Sequence, residues 1–455
     1  MSERWREVVA EFDVDVDSCR IHAEGWQSWT PTTAYRISDA QWAPVRPETW
    51  TSGYGGSRPR PPQRPGVFQG DGLLIIDPGT GDEILTVAAI SAEREVPVIR
   101  CEQRDARCVV VRADGPVSMS RTDAALGIEA AKAVFADGFA AASGVGPLRP
   151  APTIWSSWYE YFTAVCESDI DENLLAIADR DLPVDVIQLD DGYQRELGDW
   201  LTLSSRFASL EAMVARICDS GRRAGIWIAP FLVGARSTIA AQHPDWLVRD
   251  KAGAPVNALH NWGQDTYPLD VTHPGAQDYL AAVFTSLIAT GIDFFKLDFI
   301  YAAALDGRRY DRSLTSGQAY RHGLAHVRSV LGPDPYLLGC GAPLLPSVGL
   351  VDAMRVSADT APAWAPEHGD MSLAGGQSAE LSVHARAYQH GRYWINDPDC
   401  LVLRPGVEQR HRRARMVAQH GGLRGFSDRV AHLDYWALST TAELLRTVPP
   451  PTPFR

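Results

Sequence analysis

From Pro152 onward, short apolar runs alternate with amphipathic stretches of helical spacing. Eight runs read as strands: Thr153–Trp158, Val184–Leu189, Ile226–Ala229, Ile292–Leu297, Pro335–Gly339, Ala353–Val356, Tyr393–Asn396 and Leu423–Phe426. The helices between them include Glu172–Arg180, Leu210–Arg223, Gln277–Ala289 and Glu408–Gln419, with Asp171 and Ser209 as N-caps of the first two. Eight such units fit a (β/α)8 barrel. A doubly wound sheet is the alternative, but the glycine fingerprint of a dinucleotide site does not follow the first strand. Upstream the period changes. Phe12, Val14 and Val16 alternate with Asp13, Asp15 and Asp17, and apolar runs follow at Leu73–Ile76, Ile84–Ile90 and Val109–Val111. Between Gly53 and Gly72, ten of twenty residues are Gly or Pro, which predicts a long loop. The predicted fold is α/β: a TIM barrel over 151–455, preceded by a smaller β-rich, sandwich-like domain over 1–150.

Composition narrows the partners. Of the 455 residues, 45% are hydrophobic and 22% charged, which suits a globular protein and excludes disorder over most of the length. The net charge is −13, and no long basic tract is present to neutralise phosphates, so nucleic acid is not an expected partner. The one basic cluster, Arg410, Arg412, Arg413 and Arg415, reads as a solvated helix face. The start, MSERWREVVA, lacks the apolar run of a signal peptide. The uncharged stretch Pro335–Val351 contains three prolines and is no membrane helix. Seven scattered cysteines without CxxC spacing suggest reduced thiols. Together these features predict a cytoplasmic protein with no membrane partner; a homo-oligomer stays open. Fourteen Trp fit either core packing or recognition of flat rings. Only three Lys (Lys132, Lys251, Lys296) stand among 40 Arg, so each Lys asks for a reason.

A barrel keeps its chemistry at the C-terminal ends of its strands. There stand Trp155 and Trp158, Asp190-Asp191-Gly192, Trp227, Lys296-Leu297-Asp298, Cys340-Gly341, Arg355 with Ser357 and Asp359, and Asn396-Asp397-Pro398-Asp399. A single Asp at such a place is as readily a helix cap as a catalyst. Acidic residues at four of eight strand ends repel one another, and a cation or a reaction is the usual reason to keep them. The twelve His form no HxH pair, and His322-Gly323 with His326 lacks the Glu of HExxH, so that pair reads as a helix face. Oxygen-only Mg²⁺ or Ca²⁺ binding by Asp190, Asp191 and Asp298 is one reading. Two-carboxylate glycoside chemistry is the other, with tryptophans facing sugar rings.

Taken together, Trp155-Ser-Ser-Trp158, Leu189-Asp-Asp-Gly192, Gly198-Asp-Trp200, His243-Pro-Asp-Trp246, Lys296-Leu-Asp298, Arg355-Val-Ser-Ala-Asp359 and Asn396-Asp-Pro-Asp399 resemble glycoside hydrolase family 36, of the same clan as the family 27 α-galactosidases. Gly25-Trp-Gln-Ser-Trp29 resembles a motif of that family's N-terminal domain. The resemblance implies a retaining hydrolase of terminal α-galactosides, without cofactor or metal, acting on an oligosaccharide or small glycoside. It implies Asp298 as nucleophile and Asp359 as acid/base. Asp190 and Asp191 would take the sugar's O4 and O6, with Lys296 and Arg355 beside them. Trp155, Trp227 and Cys340 would complete the wall, and Trp26 or Trp29 would reach over the mouth.

The chain departs from the family pattern in places. Its N-terminal part is short, Gly341-Ala-Pro follows Cys340 where many members carry Ser and Gly, and Tyr193 replaces a frequent Trp. These departures bear on substrate choice. A transglycosidase of the raffinose-synthase kind, or an α-glycosidase for another sugar (an α-N-acetylgalactosaminide or α-glucoside), would share the catalytic pair. A metal-dependent barrel hydrolase and a sugar-binding protein on a degenerate barrel are the readings from other classes. Asp397 and Asp399 read as turn support, and Trp158 and Trp246 as core.

Overall fold

The computed structural model describes residues 8–44 and 58–454. Nine antiparallel strands come first: β1 (Val8–Asp13), β2 (Arg20–Ala23), β3 (Thr33–Arg36), β4 (Val67–Asp71), β5 (Leu73–Asp77), β6 (Glu83–Ala88), β7 (Val98–Asp105), β8 (Cys108–Ala113) and β9 (Ser118–Asp123). They form a four-stranded sheet, β1-β8-β7-β4, and a five-stranded sheet, β3-β2-β5-β6-β9. Ile21, Leu74, Ile76 and Val87 of one sheet meet Phe68, Ile99, Val109 and Val111 of the other in one apolar core. Successive side chains of a strand point to opposite faces. On β5, Leu74 and Ile76 therefore enter that core, while Leu73 and Ile75 join a second one with Phe135 and Phe139 of the helix Gly127–Ala142. Burial on both faces explains the unbroken apolar run. Of the loop expected over Gly53–Gly72, the first part lies outside the described residues, and Val67–Asp71 is not loop but strand β4, paired along its length with β7.

The barrel follows. Its strands are β10 (Thr153–Ser156), β11 (Val186–Leu189), β12 (Arg223–Ile228), β16 (Ile292–Leu297), β17 (Tyr336–Gly339), β18 (Ala353–Arg355), β19 (Ile395–Asp397) and β20 (Arg424–Phe426). All pair in parallel, in the order β19-β18-β17-β16-β12-β11-β10-β20. The amides of Gly422 and Leu423 donate to the Asn396 carbonyl at 3.0 and 2.9 Å, which nearly closes the ring between β20 and β19. Each of the eight expected strands is present, within a few residues of the expected bounds. Between β12 and β16 lies a small antiparallel sheet that the apolar pattern did not announce: β13 (Leu232–Gly234), β14 (Leu259–Asn261) and β15 (Gln264–Pro268), in the order β13-β15-β14.

Ile154, Val186, Phe294, Leu338, Ala353 and Ile395 form an apolar layer inside the ring. Two residues further along five of these strands, on the same face, stand Ser156, Gln188, Lys296, Cys340 and Arg355. The pleat thus turns an apolar floor into a polar upper layer.

Two local expectations are corrected. The first barrel helix spans Glu167–Asp179, because Cys166 and Asp169 form a capping box a full turn earlier than expected. Asp171 lies inside that helix and pairs with Arg216 at 2.9 Å. Ser209 does cap the next helix, accepting from the Ala212 amide. The basic cluster on the helix Arg410–His420 is not uniformly solvated. Arg413 is 2% exposed and donates to the carbonyls of Ala361 and Ala363, while Arg410 and Arg412 pair with Asp434 and Glu380.

Candidate active site

At the C-terminal end of the barrel lies a cavity of about 490 Å³, lined among others by Asp190, Asp191, Trp227, Lys296, Asp298 and Asp359. Trp29 reaches it from the N-terminal sheets. Of eleven expected site residues, seven line this space.

Asp190, at the end of β11, is 1% exposed. Its Oδ2 accepts from Lys296 Nζ at 2.8 Å and Gln188 Nε2 at 2.7 Å, and its Oδ1 from the Asp191 amide at 2.9 Å. Asp191 follows in the turn and faces the same cavity, where Gly192 takes φ +121°. Its Oδ1 accepts from Gln194 Nε2 at 2.6 Å and its Oδ2 from Trp262 Nε1 at 2.7 Å. Burial pushes the Asp191 carboxyl up to about 6, against those two donors. Burial pulls the Lys296 ammonium down, but the charges of Asp190 and Asp298 outweigh it and hold it well above its usual value.

Asp298 stands just past β16. Its Oδ2 accepts from the Trp227 indole at 3.0 Å, its Oδ1 from the Phe299 amide at 2.7 Å, and Lys296 Nζ lies 4.0 Å away. Both oxygens therefore accept from donors that fix the orientation of the carboxyl group. Phe299 adopts a left-handed φ of 50°, a conformation costing on the order of 1–3 kcal/mol in a non-glycine residue, and its ring lines the cavity.

Asp359 lies beyond β18, with 39% of its side chain open. Surrounding protein pushes its carboxyl up to about 6; Arg355 opposes this, and Asp399 and Asp298 add to it. Arg355 is buried behind the cavity, not in its wall. Its guanidinium donates to Asp359 at 2.9 Å, to Asp397 at 3.2 Å and to Asp399. Asp399 also takes the Tyr159 hydroxyl and the Thr360 amide. Asp397 and Asp399 therefore anchor the arginine that holds Asp359.

Three further expected wall residues sit elsewhere. Trp155 has the opposite parity to Ile154, so the pleat turns it out of the ring; it is fully buried and donates its indole N–H to the Asp428 carbonyl. Cys340 is 1% exposed beneath the surface, and burial raises its thiol well above the usual range. Trp26 stacks under the guanidinium of Arg58 and accepts from the Leu344 amide through its carbonyl, away from the cavity. Conversely, Trp158, which reads as core from sequence, lines the cavity together with Thr163, Asn261, Trp262, Phe299, Ala358 and Ala374. Among the described residues, no group of three or more His, Cys, Asp or Glu is arranged to hold a metal ion.

Residues 149–330 match the model of the Melibiase family. Alpha-galactosidase 2 of Pediococcus pentosaceus is 23% identical over 189 residues, covering 40% of this chain and 25% of that protein. The bifunctional alpha-galactosidase/sucrose kinase AgaSK of Mediterraneibacter gnavus is 29% identical over 116 residues, covering 24% of this chain and 12% of that protein. These matches span about a quarter of the curated relatives' length or less. The alpha-galactosidase TtGalA of Thermus thermophilus, solved with p-nitrophenyl alpha-D-galactopyranoside, superposes with a TM-score of 0.78 at 27% identity, covering 97% of this chain and 88% of that one. The GH36 alpha-galactosidase AgaA of Geobacillus stearothermophilus shares the fold with a TM-score of 0.65 at 14% identity, over 97% of this chain and 62% of its own. The chain thus carries a Melibiase match over residues 149–330 and, over nearly its whole length, is similar in fold to solved alpha-galactosidases.

Proposed function

We propose that the chain is a retaining glycoside hydrolase of terminal α-galactosides. The observation that carries this reading is one cavity at the strand ends lined by two carboxyl groups with different partners: Asp298, an acceptor at both oxygens, and Asp359, held by Arg355. Two carboxyl groups facing one cavity are the makings of a nucleophile and an acid/base for glycoside chemistry.

In this reading Asp298 attacks the anomeric carbon, and the glycosidic C–O bond breaks as Asp359 gives its proton to the leaving oxygen. Water then attacks the glycosyl–aspartate ester, and Asp359 takes a proton from that water. The sugar leaves with its original configuration, and both carboxyls return to their starting states. Trp227 and the Phe299 amide hold Asp298 in place for attack, and Arg355 holds Asp359. Asp190, Asp191 and Lys296 supply acceptors and a donor for sugar hydroxyls, and charge-assisted bonds of this kind are the strong ones. Trp29 and Trp158 offer apolar faces to the ring. The reaction needs no metal, since Lys296 and Arg355 already offset the clustered carboxylates. The match of TtGalA, solved with an α-galactoside, supports galactose as the sugar.

A panel of aryl α- and β-glycosides tests the reading, run with and without chelator. The expected result is turnover of α-galactoside well ahead of α-glucoside, unaffected by chelator. Equal turnover of both sugars, or activity lost in chelator and restored by Mg²⁺ or Ca²⁺, contradicts it.

A further inference from the structure

Asn261, Trp262 and Gly263 form the tip of the β14–β15 hairpin, which enters the site from the segment after β12. Asn261 pairs with Gln264, so the turn has two residues, and both take positive φ: 52° at Trp262 and 65° at Gly263. Two-residue hairpin turns of this kind favour Asn or Gly, and a bulky aromatic there is strained. The strain coincides with a contact across the cavity. The Trp262 indole donates to Asp191 Oδ2 at 2.7 Å, and its ring meets Phe299 edge-on at 5.3 Å between centroids. Phe299 in turn packs against Trp29, with centroids 5.1 Å apart. Trp262, Phe299 and Trp29 thus make a continuous aromatic wall from the carboxylate of Asp191 to the N-terminal domain.

We propose that Trp262 is the specificity-determining residue for the hydroxyl that faces Asp191. With Gln194 on one oxygen and Trp262 on the other, the Asp191 carboxylate is fixed in orientation and keeps lone pairs only for an incoming donor. A free sugar hydroxyl supplies that donor. An ether or ester at the same position cannot donate, and the Trp262 ring, in the cavity wall beside that carboxylate, leaves less room there for a substituent. The site therefore selects a sugar unsubstituted at this hydroxyl. The inference rests on the glycosidase reading and assigns a role within it.

Two variants separate the two contributions. Trp262→Phe keeps a ring but loses the N–H. Trp262→Gly removes the ring and suits the left-handed turn, so folding is favoured. With an aryl α-galactoside, Trp262→Phe is expected to raise KM about tenfold, the loss of one hydrogen bond to a charged group, with kcat within about threefold. The acidic limb of kcat/KM moves to higher pH, because losing a donor to the ionised form makes Asp191 harder to ionise. Asp190 and Asp298 push the same way, and they and Lys296 are unchanged in this variant. Trp262→Gly is expected to gain turnover of 6-O-methyl and 4-O-methyl α-galactosides relative to the parent sugar, by about tenfold for the one facing Asp191. Unchanged KM, acidic limb and methyl-ether discrimination in both variants would overturn the assignment. Absence of turnover in the unaltered protein would instead overturn the glycosidase reading.

Discussion

Asp298 and Asp359 face one cavity through different partners, and the difference sets what each can do. Asp298 is met by donors, whereas Asp359 is met by one arginine that three carboxylates share. Replacing Asp298 with Ala is expected to lower kcat by roughly 10³-fold or more while the fold holds. Azide then fits the vacated space and gives the β-galactosyl azide; turnover near that of the unaltered protein removes Asp298 from the mechanism. The pH profile follows from the two raised carboxyls. Asp359 must carry a proton to act as acid, so activity declines as pH rises above about 6. Asp191 must lose its proton to accept a sugar hydroxyl, so activity declines as pH falls below about 6. The expected kcat/KM profile is a bell with its maximum near pH 6, and Asp191→Asn flattens its acidic limb only. Much at this scale was legible. A Lys among so many arginines marked Lys296, and strand-end position marked Asp190, Asp298 and Asp359. Trp155 was misplaced because only strand parity, fixed by the layer Ile154 joins, says which way it points. Trp262 was missed because a lone Trp in a polar stretch carries no periodic signal, although Asn-Trp-Gly between two polar segments is a hairpin cue.

At the scale of elements, all eight barrel strands were readable because each is an apolar run between turn residues. The β13–β15 sheet was not, since Gln264–Pro268 is polar and only alternately buried. Helix starts depend on single capping groups, which is why Asp171 misled and Ser209 did not. The loop after β17 shows how such details reach the site. Ser28 and Ala342 exchange hydrogen bonds, and the Leu344 amide donates to the Trp26 carbonyl, so this loop carries Trp29 to the cavity. Gly341 has φ +50°, and an added Cβ would lie 2.8 Å from the Trp29 ring and 3.0 Å from the Phe299 nitrogen. Gly341→Ala is expected to displace Trp29 and raise KM about tenfold, in keeping with an overpacking cost of about 1–3 kcal/mol. A crystal structure of the variant with Trp29 unmoved and KM unchanged would contradict this role for the loop. It also gives the Gly-Ala-Pro departure a physical content: the glycine is needed where Trp29 packs.

Across the whole molecule, Arg386 is the joint between the two parts. Fully buried after the helix Gly376–Ala385, it donates to Glu24 Oε1, to the carbonyls of Ser28 and Thr30, to Thr32 Oγ1 and to the Val356 carbonyl next to Arg355. Tyr388 donates to the other Glu24 oxygen. Burial pushes the Glu24 carboxyl up, and Arg386 and His22 overcome it and hold it well below the usual range. Stability from this pair is therefore present above the unfolded value of 4.5 and fades on acidification through the lower folded value. Arg386→Met leaves a buried charge without its partner and is expected to cost about 3–5 kcal/mol in denaturant unfolding. The double variant with Glu24→Gln recovers part of that loss; equal losses in both would show that the ion pair is not the joint. Nothing in the sequence pairs Glu24 with Arg386, because contacts between residues this far apart leave no local pattern.

The central claim is a covalent sugar on Asp298. Brief reaction with 5-fluoro-α-galactosyl fluoride, quenching and peptide mass spectrometry test it most directly. The expected result is one added fluorosugar on the peptide containing Asp298, lost on prolonged incubation and absent from Asp298→Ala. Turnover of the reagent with no labelled peptide, or a label on another carboxylate, would contradict the account.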